Sequence, residues 1–244
     1  MTTTPTAHPV PLVLPGQAAA PVGPVDLTTM YLMHHAFRRD LAAFARAVTS
    51  TPAADRDTWP ALRERWALFS FVLHHHHEGE DAGLWPVLLE CVDAAGDAAG
   101  RATLEAMAAE HAEIDPLLAA CEAGLDRLAE RPDEDARAAL EVRVVAARER
   151  LGAHLAHEER DALALVQAHL TPADWQRAEE EHFKPAYRPR DLLRVVPWVL
   201  HGLAEAQLRE IVAEHPELRP MAAVWRLLLR RGFERRERRA FAHA

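Results

Sequence analysis

The sequence predicts an all-α fold, an up-down-up-down four-helix bundle with a helical C-terminal extension. Three observations predict it. The helix formers Ala, Leu, Glu and Arg dominate the 244 residues, whereas strand formers are scarce, with only two Ile and two Tyr. Four long segments carry apolar residues at alternating spacings of three and four, which is typical of the buried stripe of packed helices. The connections between these segments are short, as in an up-down bundle.

Three regions follow one another along the chain. Residues 1–25 contain six prolines and are predicted to form a disordered tail. Residues 26–170 are predicted to form the bundle. Residues 171–244 are predicted to form three or four further helices, the first opened by the N-cap pair Thr171-Pro172. The four long helices are expected near residues 26–49, 59–92, 97–130 and 133–169.

Composition and charge exclude several classes of protein. Two cysteines without a Cys-x-x-Cys motif exclude disulfide scaffolds and thiolate zinc ribbons. A net charge of −9 gives no general attraction for nucleic acid. No apolar run is long enough for a transmembrane segment, and the start of the chain lacks the basic residues of a secretory signal. We therefore expect a cytoplasmic protein that binds no nucleic acid.

The spacing of apolar residues predicts which positions of each long helix are buried. Every stripe also contains one histidine, and two stripes contain acidic residues. The stripes are Leu27, Met30, His34, Phe37, Leu41, Phe44 and Val48 on the first helix; Leu62, Trp66, Phe69, Leu73, His76, Glu80, Gly83 and Val87 on the second; Leu104, Met107, His111, Ile114, Leu118, Cys121, Leu125 and Leu128 on the third; and Leu140, Val144, Ala147, Leu151, His154, Glu158, Asp161 and Leu165 on the fourth.

The four histidines of the stripes are predicted to lie at one height in the bundle. In each pair of neighbouring helices, the two histidines are separated from the connection between the helices by nearly the same number of residues. The differences are about two residues, or roughly 3 Å at the helical rise. Since neighbouring helices of an up-down bundle are antiparallel, equal counts mean equal height. His34, His76, His111 and His154 are therefore expected to share one layer of the core.

Two glutamates are expected to join this layer and to make it a metal site. Glu80 follows His76 by four residues, and Glu158 follows His154 by four, so each pair shares a helix face. Buried imidazoles and carboxylates without partners would be costly. Together they suit iron, manganese or zinc, and two carboxylates able to bridge indicate two ions, spaced in such centres by roughly 3.5–4 Å. The sequence therefore predicts a two-metal centre.

Several neighbouring residues stay open as alternatives. His35 is an alternative to His34, and Glu159 is an alternative to Glu158 if the helix is locally distorted. Asp115, one turn after His111, is either a further ligand or a capping residue near Pro116. Other histidines next to the predicted ligands are expected to face solvent or to lie outside the ligand layer: His74, His75, His77 and His157.

Spacing excludes two other kinds of metal site. A ferritin-like di-iron centre needs two inward Glu-x-x-His pairs, whereas the only such spacing, Glu179 to His182, lies outside the bundle. No His-Glu-x-x-His motif occurs, so a zinc peptidase is not indicated.

Four motifs, in order, resemble the hemerythrin-like HHE cation-binding domains of bacteria. The resemblance covers about residues 27–169. It implies a four-helix bundle with a non-haem di-iron centre, ligated by His34, His76, Glu80, His111, His154 and Glu158. The motifs are His34 followed by Phe37-Arg38-Arg39-Asp40-Leu41, His-His-His-His-Glu-Gly-Glu-Asp at 74–81 leading to Leu84-Trp85-Pro86, Glu110-His111, and His-Leu-Ala-His-Glu-Glu at 154–159.

The resemblance implies that the protein binds, senses or reduces dioxygen, nitric oxide or peroxide. Oxygen-carrying hemerythrins have a second histidine where this chain has Asp115, and an Asp at the position five after the fourth-helix histidine, whereas Glu158 lies at four. A carboxylate in place of an imidazole favours ferric iron, so sensing or turnover is expected over oxygen storage. Whether the protein is an enzyme stays open. The alternative is a metal-stabilised helical interaction or iron-handling protein without redox turnover.

The C-terminal extension ends in a basic segment. Between Arg219 and Arg239 there are eight arginines and two glutamates, a local charge of +6. We expect this helix to pack a face of Val224, Leu227 and Leu228 against the acidic bundle. Contact with a membrane surface or an acidic partner is the alternative.

Overall fold

A computed structural model describes residues 8–216 and 219–244 of the chain. Helices make up 81% of the structure, and no strand occurs within the described ranges. The predicted all-α class is therefore confirmed. Residues 1–7, which the sequence analysis assigned to the disordered tail, lie outside the described residues.

The four predicted long helices are present with ends close to the expected ones. The second and fourth are each interrupted by a π turn, a short segment with i to i+5 hydrogen bonds. In chain order the elements are α1 (Thr28–Ser50); α2 (Thr58–Gly79), the first π turn (Glu80–Leu84) and α3 (Trp85–Ala95); α4 (Ala98–Glu130); and α5 (Glu134–His157), the second π turn (Glu158–Ala162) and α6 (Leu163–His169).

The C-terminal extension is also helical, and its first helix begins as the sequence predicts. Thr171 is the N-cap of that helix, and its side chain accepts from the backbone N–H of Asp174. The elements are α7 (Pro172–Ala178), a third π turn (Glu179–Phe183), a 3-10 turn (Lys184–Ala186), α8 (Pro189–Leu200), α9 (Glu205–Glu214), α10 (Arg219–Val224), a fourth π turn (Trp225–Leu229) and α11 (Arg230–Ala240).

Each of the first two π turns shifts which positions are buried in the residues that follow it on the same long helix. The stripes predicted that Val87, Asp161 and Leu165 are buried. This is wrong, because Val87 is 42% exposed, the Asp161 side chain is 50% exposed and Leu165 is only partly buried. Burial falls one residue later instead, on Leu88 and Val166. A π turn contains one residue more than an α turn, so an α-helical stripe is displaced by one position beyond it.

The chain forms two compact units. Unit 1 consists of the described residues up to His35 together with 74–115 and 149–186. Its apolar core takes residues from the start of α1, from the first π turn and from α3, α4, α6 and α7. This core includes Met30, Tyr31, Leu84, Trp85, Leu88, Leu104, Met107, Leu163, Val166 and Trp175.

The described proline-rich residues belong to unit 1 and make specific contacts there. Leu14 is 4% exposed, and the N–H of Ala18 donates to Glu159 at 2.7 Å. The side chain of Gln167 accepts from the N–H of Val25 and donates to its carbonyl oxygen. Residues 8–25 therefore differ from the disordered tail expected there, because side-chain groups of unit 1 satisfy their backbone.

Unit 2 consists of residues 36–73, 116–148 and 187–244, and a buried charged network crosses it. Arg65 donates to Asp40 at 2.8 Å and also to Glu237. The indole N–H of Trp198 donates to Asp40 at 2.6 Å. These bonds join α8 and α11 to α1 and α2, and they satisfy charges that would otherwise be costly to bury.

The basic C-terminal segment does not pack through the face that the sequence predicts. Leu227 and Leu228 are 81% and 74% exposed, and Val224 is 40% exposed, so that expectation is wrong. Trp225 and Phe233 are buried instead. Leucines beside arginines on one helix do not by themselves indicate which face is buried, since tertiary packing decides it. No helix of the described ranges is long and apolar enough to cross a membrane.

Candidate metal centre

The six predicted ligands all lie in unit 1 and are all buried. Each of α1, α2, α4 and α5 contributes one histidine, and the first residue of each of the first two π turns is a glutamate. None of the six is more than 3% exposed. These residues are His34, His76, Glu80, His111, His154 and Glu158.

Four of these residues form a first lobe of the centre: His34, His76, Glu80 and Glu158. Each offers a donor atom within 4.8 Å of the others. The Nε2 atoms of His34 and His76 are 3.3 Å apart. Nε2 of His34 lies 3.2 Å from Oε2 of Glu158, and Nε2 of His76 lies 3.1 Å from Oε1 of Glu80. Their donor atoms therefore converge on one point.

The second lobe contains His111 and His154 together with His77, which the sequence analysis did not count as a ligand. Donor atoms of these three histidines also lie within 4.8 Å of one another. The Nε2 atoms of His111 and His154 are 3.1 Å apart. His77 is 5% exposed. The expectation that His77 faces solvent or lies outside the ligand layer is not met.

Glu80 and Glu158 both lie between the two lobes. Glu80 directs Oε1 to His76 in the first lobe and places Oε2 3.5 Å from Nε2 of His111 in the second. Glu158 Oε2 lies 3.2 Å from Nε2 of His34 and 3.9 Å from Nε2 of His154. No oxygen of either carboxylate accepts a hydrogen bond of good geometry. Two buried carboxylates without such partners are suited to bridging a pair of cations.

A second layer of carboxylates holds the outer nitrogen of three histidines. Nδ1 of His34 lies 3.0 Å from Glu159, and Nδ1 of His111 lies 2.9 Å from Asp81. Nδ1 of His154 lies 2.8 Å from Glu110. A carboxylate accepts from the imidazole N–H, so in each ring Nδ1 carries a proton and Nε2 faces the centre. This is the arrangement by which proteins orient histidine ligands.

The first two π turns begin with residue pairs, Glu80-Asp81 and Glu158-Glu159, whose side chains are arranged alike. In each pair the first carboxylate faces the lobes, and the second binds Nδ1 of a histidine on another helix. Glu158 and Glu159 are both 0% exposed. Because the π turn is wider than an α turn, two consecutive side chains can point inward. The local distortion considered for Glu159 is therefore present, and it brings in both glutamates.

Electrostatics within the first lobe favour a cation. Burial alone would lower the pKa of His34, but Glu158 and Glu159 raise it to about 9. Burial would raise the pKa of Glu158, but His34 and the neighbouring histidines lower it to about 2. Burial and the nearby Glu158 raise the pKa of Glu80 well above its ordinary value. Two carboxylates are thus close together in a dry site, and added positive charge there would stabilise both in ionised form.

Apart from His77, the neighbouring residues considered in the sequence analysis lie outside the two lobes. His35 is half-buried, whereas His34 lies in the first lobe. Asp115 is exposed. The side chain of His157 is 28% exposed and its Nδ1 lies 2.8 Å from Glu110. The side chains of the first two histidines of the run at 74–77 are 63% and 23% exposed. None of these residues joins either lobe.

Tyr31 is a buried polar residue near His34 that the sequence analysis did not identify. It is 2% exposed and lies one turn before His34 on α1. Its hydroxyl is buried without a hydrogen-bond partner. Burial, followed by the charges of Glu159 and Glu158, raises its pKa above the ordinary value. A spacing of three residues before a predicted ligand was the available signal, since such residues share a helix face.

An open cavity adjoins the second lobe. It has a volume of about 470 Å³ and is lined by residues of α2, the first π turn and the segment 181–186. Asp81, which lines it, has a side chain that is 43% exposed and binds Nδ1 of His111. Asp81 therefore connects this open cavity with a buried histidine of the centre.

The family comparison agrees with this geometry. The family model described as the hemerythrin HHE cation binding domain matches residues 25–166, more than half of the chain. No curated protein and no solved structure matches. The matched range contains every residue of both lobes, and these clusters could hold metal ions. The chain therefore belongs to the hemerythrin HHE cation-binding domain family.

Proposed function

We propose that this protein holds a non-haem di-iron centre that binds, senses or reduces dioxygen, nitric oxide or peroxide. The observation that carries the proposal is the position of Glu80 and Glu158, each between imidazoles of both lobes. One cluster of ligands would account for one ion. Two clusters joined by two carboxylates are the arrangement that a pair of ions requires.

The residues have defined tasks in this proposal. His34 and His76 hold the first ion, and His111 and His154 hold the second. Glu80 and Glu158 are shared by both. Glu159, Asp81 and Glu110 keep the histidine rings in the orientation that directs Nε2 inward.

The donor set supports iron, and manganese or zinc are the other candidates. Imidazole nitrogens and carboxylate oxygens suit all three metals, whereas softer ions prefer thiolates. Iron supplies the electrons needed to react with dioxygen, nitric oxide or peroxide. The chain supplies a buried site and, at Asp81, a carboxylate that faces both the cavity and His111.

Elemental analysis and absorption spectra test the proposal together. We expect protein from iron-supplemented cells to contain about two irons per chain. Its spectrum should change when the reduced protein meets dioxygen or nitric oxide. Multiple turnovers with an electron donor would indicate an enzyme, and a spectral change without turnover would indicate a sensor. A colourless protein that contains zinc and shows no redox response would contradict the proposal and favour the metal-stabilised interaction protein.

The long helices are proposed to form the up-down-up-down arrangement of a four-helix bundle. Short connections support it: 51–57 joins α1 to α2, 96–97 joins α3 to α4, and 131–133 joins α4 to α5. Connections of this length favour antiparallel neighbours. The division into a bundle up to residue 170 and an extension beyond it is part of the same proposal, and a cytoplasmic location stays a prediction.

The basic C-terminal segment, residues 219–239, is proposed to bind an anionic membrane surface. Its exposed residues include Leu227 and Leu228 and the arginines 231, 235 and 238. Among the residues that the structure describes, these three arginines form no ion pair, although neighbouring Arg230 binds Glu205 and Glu234. Exposed leucines beside exposed arginines suit an interface with anionic lipid, where each arginine contributes about 1 kcal/mol.

Vesicle binding tests the membrane proposal. The intact protein should bind vesicles that contain phosphatidylserine, more weakly as salt rises, and should not bind neutral phosphatidylcholine vesicles. Leu227→Ser with Leu228→Ser should weaken binding. Val142→Ser is the matched control, because Val142 is 71% exposed on α5. Absence of binding to anionic vesicles at low salt would contradict the proposal and leave an acidic protein partner as the alternative.

A further inference from the structure

His77 is buried with no partner for either ring nitrogen. It is 5% exposed, and neither Nδ1 nor Nε2 makes a hydrogen bond to any residue that the structure describes. Burying polar atoms without partners costs about 1–3 kcal/mol for each group. By contrast, the outer nitrogens of His34, His111 and His154 are each held by a carboxylate. A ring in this position needs a partner that none of the described residues provides.

The position of His77 suits the ion of the second lobe. One of its ring nitrogens lies within 4.8 Å of the donor atoms of His111 and His154. Its ring stacks on His111, with 3.9 Å between centroids and 12° between planes. The ring of His154 is 5.6 Å away and nearly perpendicular. The donor atoms of three imidazoles therefore lie close together. Because an ion bound by His77 and His111 must lie in the plane of both rings, binding requires the His77 ring to tilt out of this stack.

Helix geometry allows His76 and His77 to serve different ions. Successive side chains on an α-helix are about 100° apart, so neighbouring residues do not converge on one atom. They can face two ions that are close together, as the ions of a bridged pair are. Nε2 of His76 lies among the first-lobe donors, and His77 lies with the second.

The helix that carries His111 offers no second donor to this lobe, because Asp115 is exposed. We propose that His77 is a seventh protein ligand and completes the second lobe from α2. This inference rests on the di-iron proposal above. The second ion is then held by three imidazoles and the first by two, with Glu80 and Glu158 shared, so the two ions are chemically different.

Anaerobic titration of the metal-free protein with Fe²⁺ tests the assignment. The variant His77→Phe keeps an aromatic ring against His111 and removes both nitrogens. The wild-type protein should take up two ions per chain. The variant should keep one ion and bind the second at least about 100-fold more weakly, because loss of an outer-layer partner alone already weakens metal binding by about 10–100-fold. Mössbauer spectra of the wild-type protein should show two unequal iron sites, of which the variant retains one.

His74→Phe is the matched control. It lies in the same histidine run, but the His74 side chain is 63% exposed, so this variant should bind two ions with wild-type affinity. Two ions bound to His77→Phe with wild-type affinity would overturn the assignment of His77. A wild-type protein that binds no iron would instead overturn the di-iron proposal, so the two failures are distinguishable. If His77→Phe does not fold, His77→Gln is titrated under the same criteria.

Discussion

At the scale of single residues, carboxylates fix the tautomer of the histidines around the centre. Glu159, Asp81 and Glu110 each lie within 3.0 Å of an Nδ1 atom. The network assigns the proton to Nδ1, because an ionised carboxylate can only accept. Each Nε2 then points inward as the ring atom available to a metal ion. These three residues bind no ion in our proposal, but they determine how well the histidines can do so.

Glu159→Gln tests this role. The substitution keeps the size of a fully buried side chain and removes the charge that holds Nδ1 of His34. We expect metal affinity to fall by about 10–100-fold, as is typical when a partner of a histidine ligand is lost. Competition titration against a coloured chelator measures it. Glu78→Gln, at a side chain that is 56% exposed, should leave the affinity unchanged, and equal affinity in both variants would contradict the role.

Protonation of His201 should make the free energy of unfolding depend on pH between about pH 4 and pH 6.5. Burial, followed by the nearby Arg39 and Arg65, lowers its pKa to about 4, against an ordinary value of 6.5. Between these values the unfolded chain binds a proton that the folded protein does not, so stability is complete above pH 6.5 and falls towards pH 4. Because the ring of His201 is 29% exposed, solvent screens part of its pKa shift. We therefore expect the free energy of unfolding to fall by about 1–3 kcal/mol as the pH is lowered through this range.

The difference between wild type and His201→Gln isolates this group. Free energies of unfolding are measured for both proteins from pH 4 to pH 7. Acidic groups far from residue 201 titrate equally in the two, so the difference comes from the histidine and from the carboxylates beside it, Glu234 and Glu237. The variant should lose less stability as the pH falls. Parallel curves would show that His201 is not responsible.

At the scale of elements, the first two π turns and two glycines define the surroundings of the centre. Gly79 ends α2, and Gly83 lies in the first π turn. A Cβ atom at Gly79 would lie 2.7 Å from the Phe183 ring, and one at Gly83 would lie 2.4 Å from the His182 ring. These glycines therefore allow the segment 179–186 to lie directly on the π turn within unit 1. Larger residues would displace it.

Gly83→Ala and Gly152→Ala should have opposite effects. The first introduces a methyl group against atoms close to the backbone of His182, and we expect it to lower the free energy of unfolding by about 1–3 kcal/mol. Gly152 lies within α5 with nothing near its Cβ position. Alanine there should raise stability by about 0.5–1 kcal/mol, because glycine is unfavourable inside a helix. Chemical denaturation measures both, and a stable Gly83→Ala protein would contradict the close contact.

At the scale of the whole molecule, metal binding and folding should be coupled. The donors of the centre come from four helical stretches that are far apart in the chain. Without folding they do not meet, so the ions bind only the folded state. Metal then stabilises the protein as any ligand of the native state does.

Removal of metal should therefore lower the melting temperature. At free metal 100-fold above the dissociation constant, binding contributes about 2.7 kcal/mol. For a chain of this size that corresponds to about 5–10 °C. Calorimetry before and after chelation, and after Fe²⁺ is restored, measures it. Mg²⁺ should not restore the melting temperature, because it prefers oxygen ligands. Identical melting with and without chelator would contradict occupancy of the centre.

Much of the fold, and part of the candidate metal centre, could be predicted from local patterns in the sequence. The ends of α1 and α4 agree with the predicted helices within about two residues, because caps and apolar periodicity act locally. The burial of His34 and Glu158 follows from the same periodicity. Val87 and Asp161 were misassigned because a π turn shifts the periodicity and leaves no clear mark in composition. His77 was misassigned because a run of histidines does not indicate which members face inward.

The sequence by itself determined the all-α class, the four long helices and six buried candidate ligands, since all of these depend on spacings within one helix. Only the tertiary structure decided that His77 joins His111 and His154, that Glu159 binds His34, and that Leu227 stays exposed. These facts depend on contacts between segments far apart in the chain. Which side chains meet there is set by the phase of each helix after its π turn and by the neighbour against which it packs.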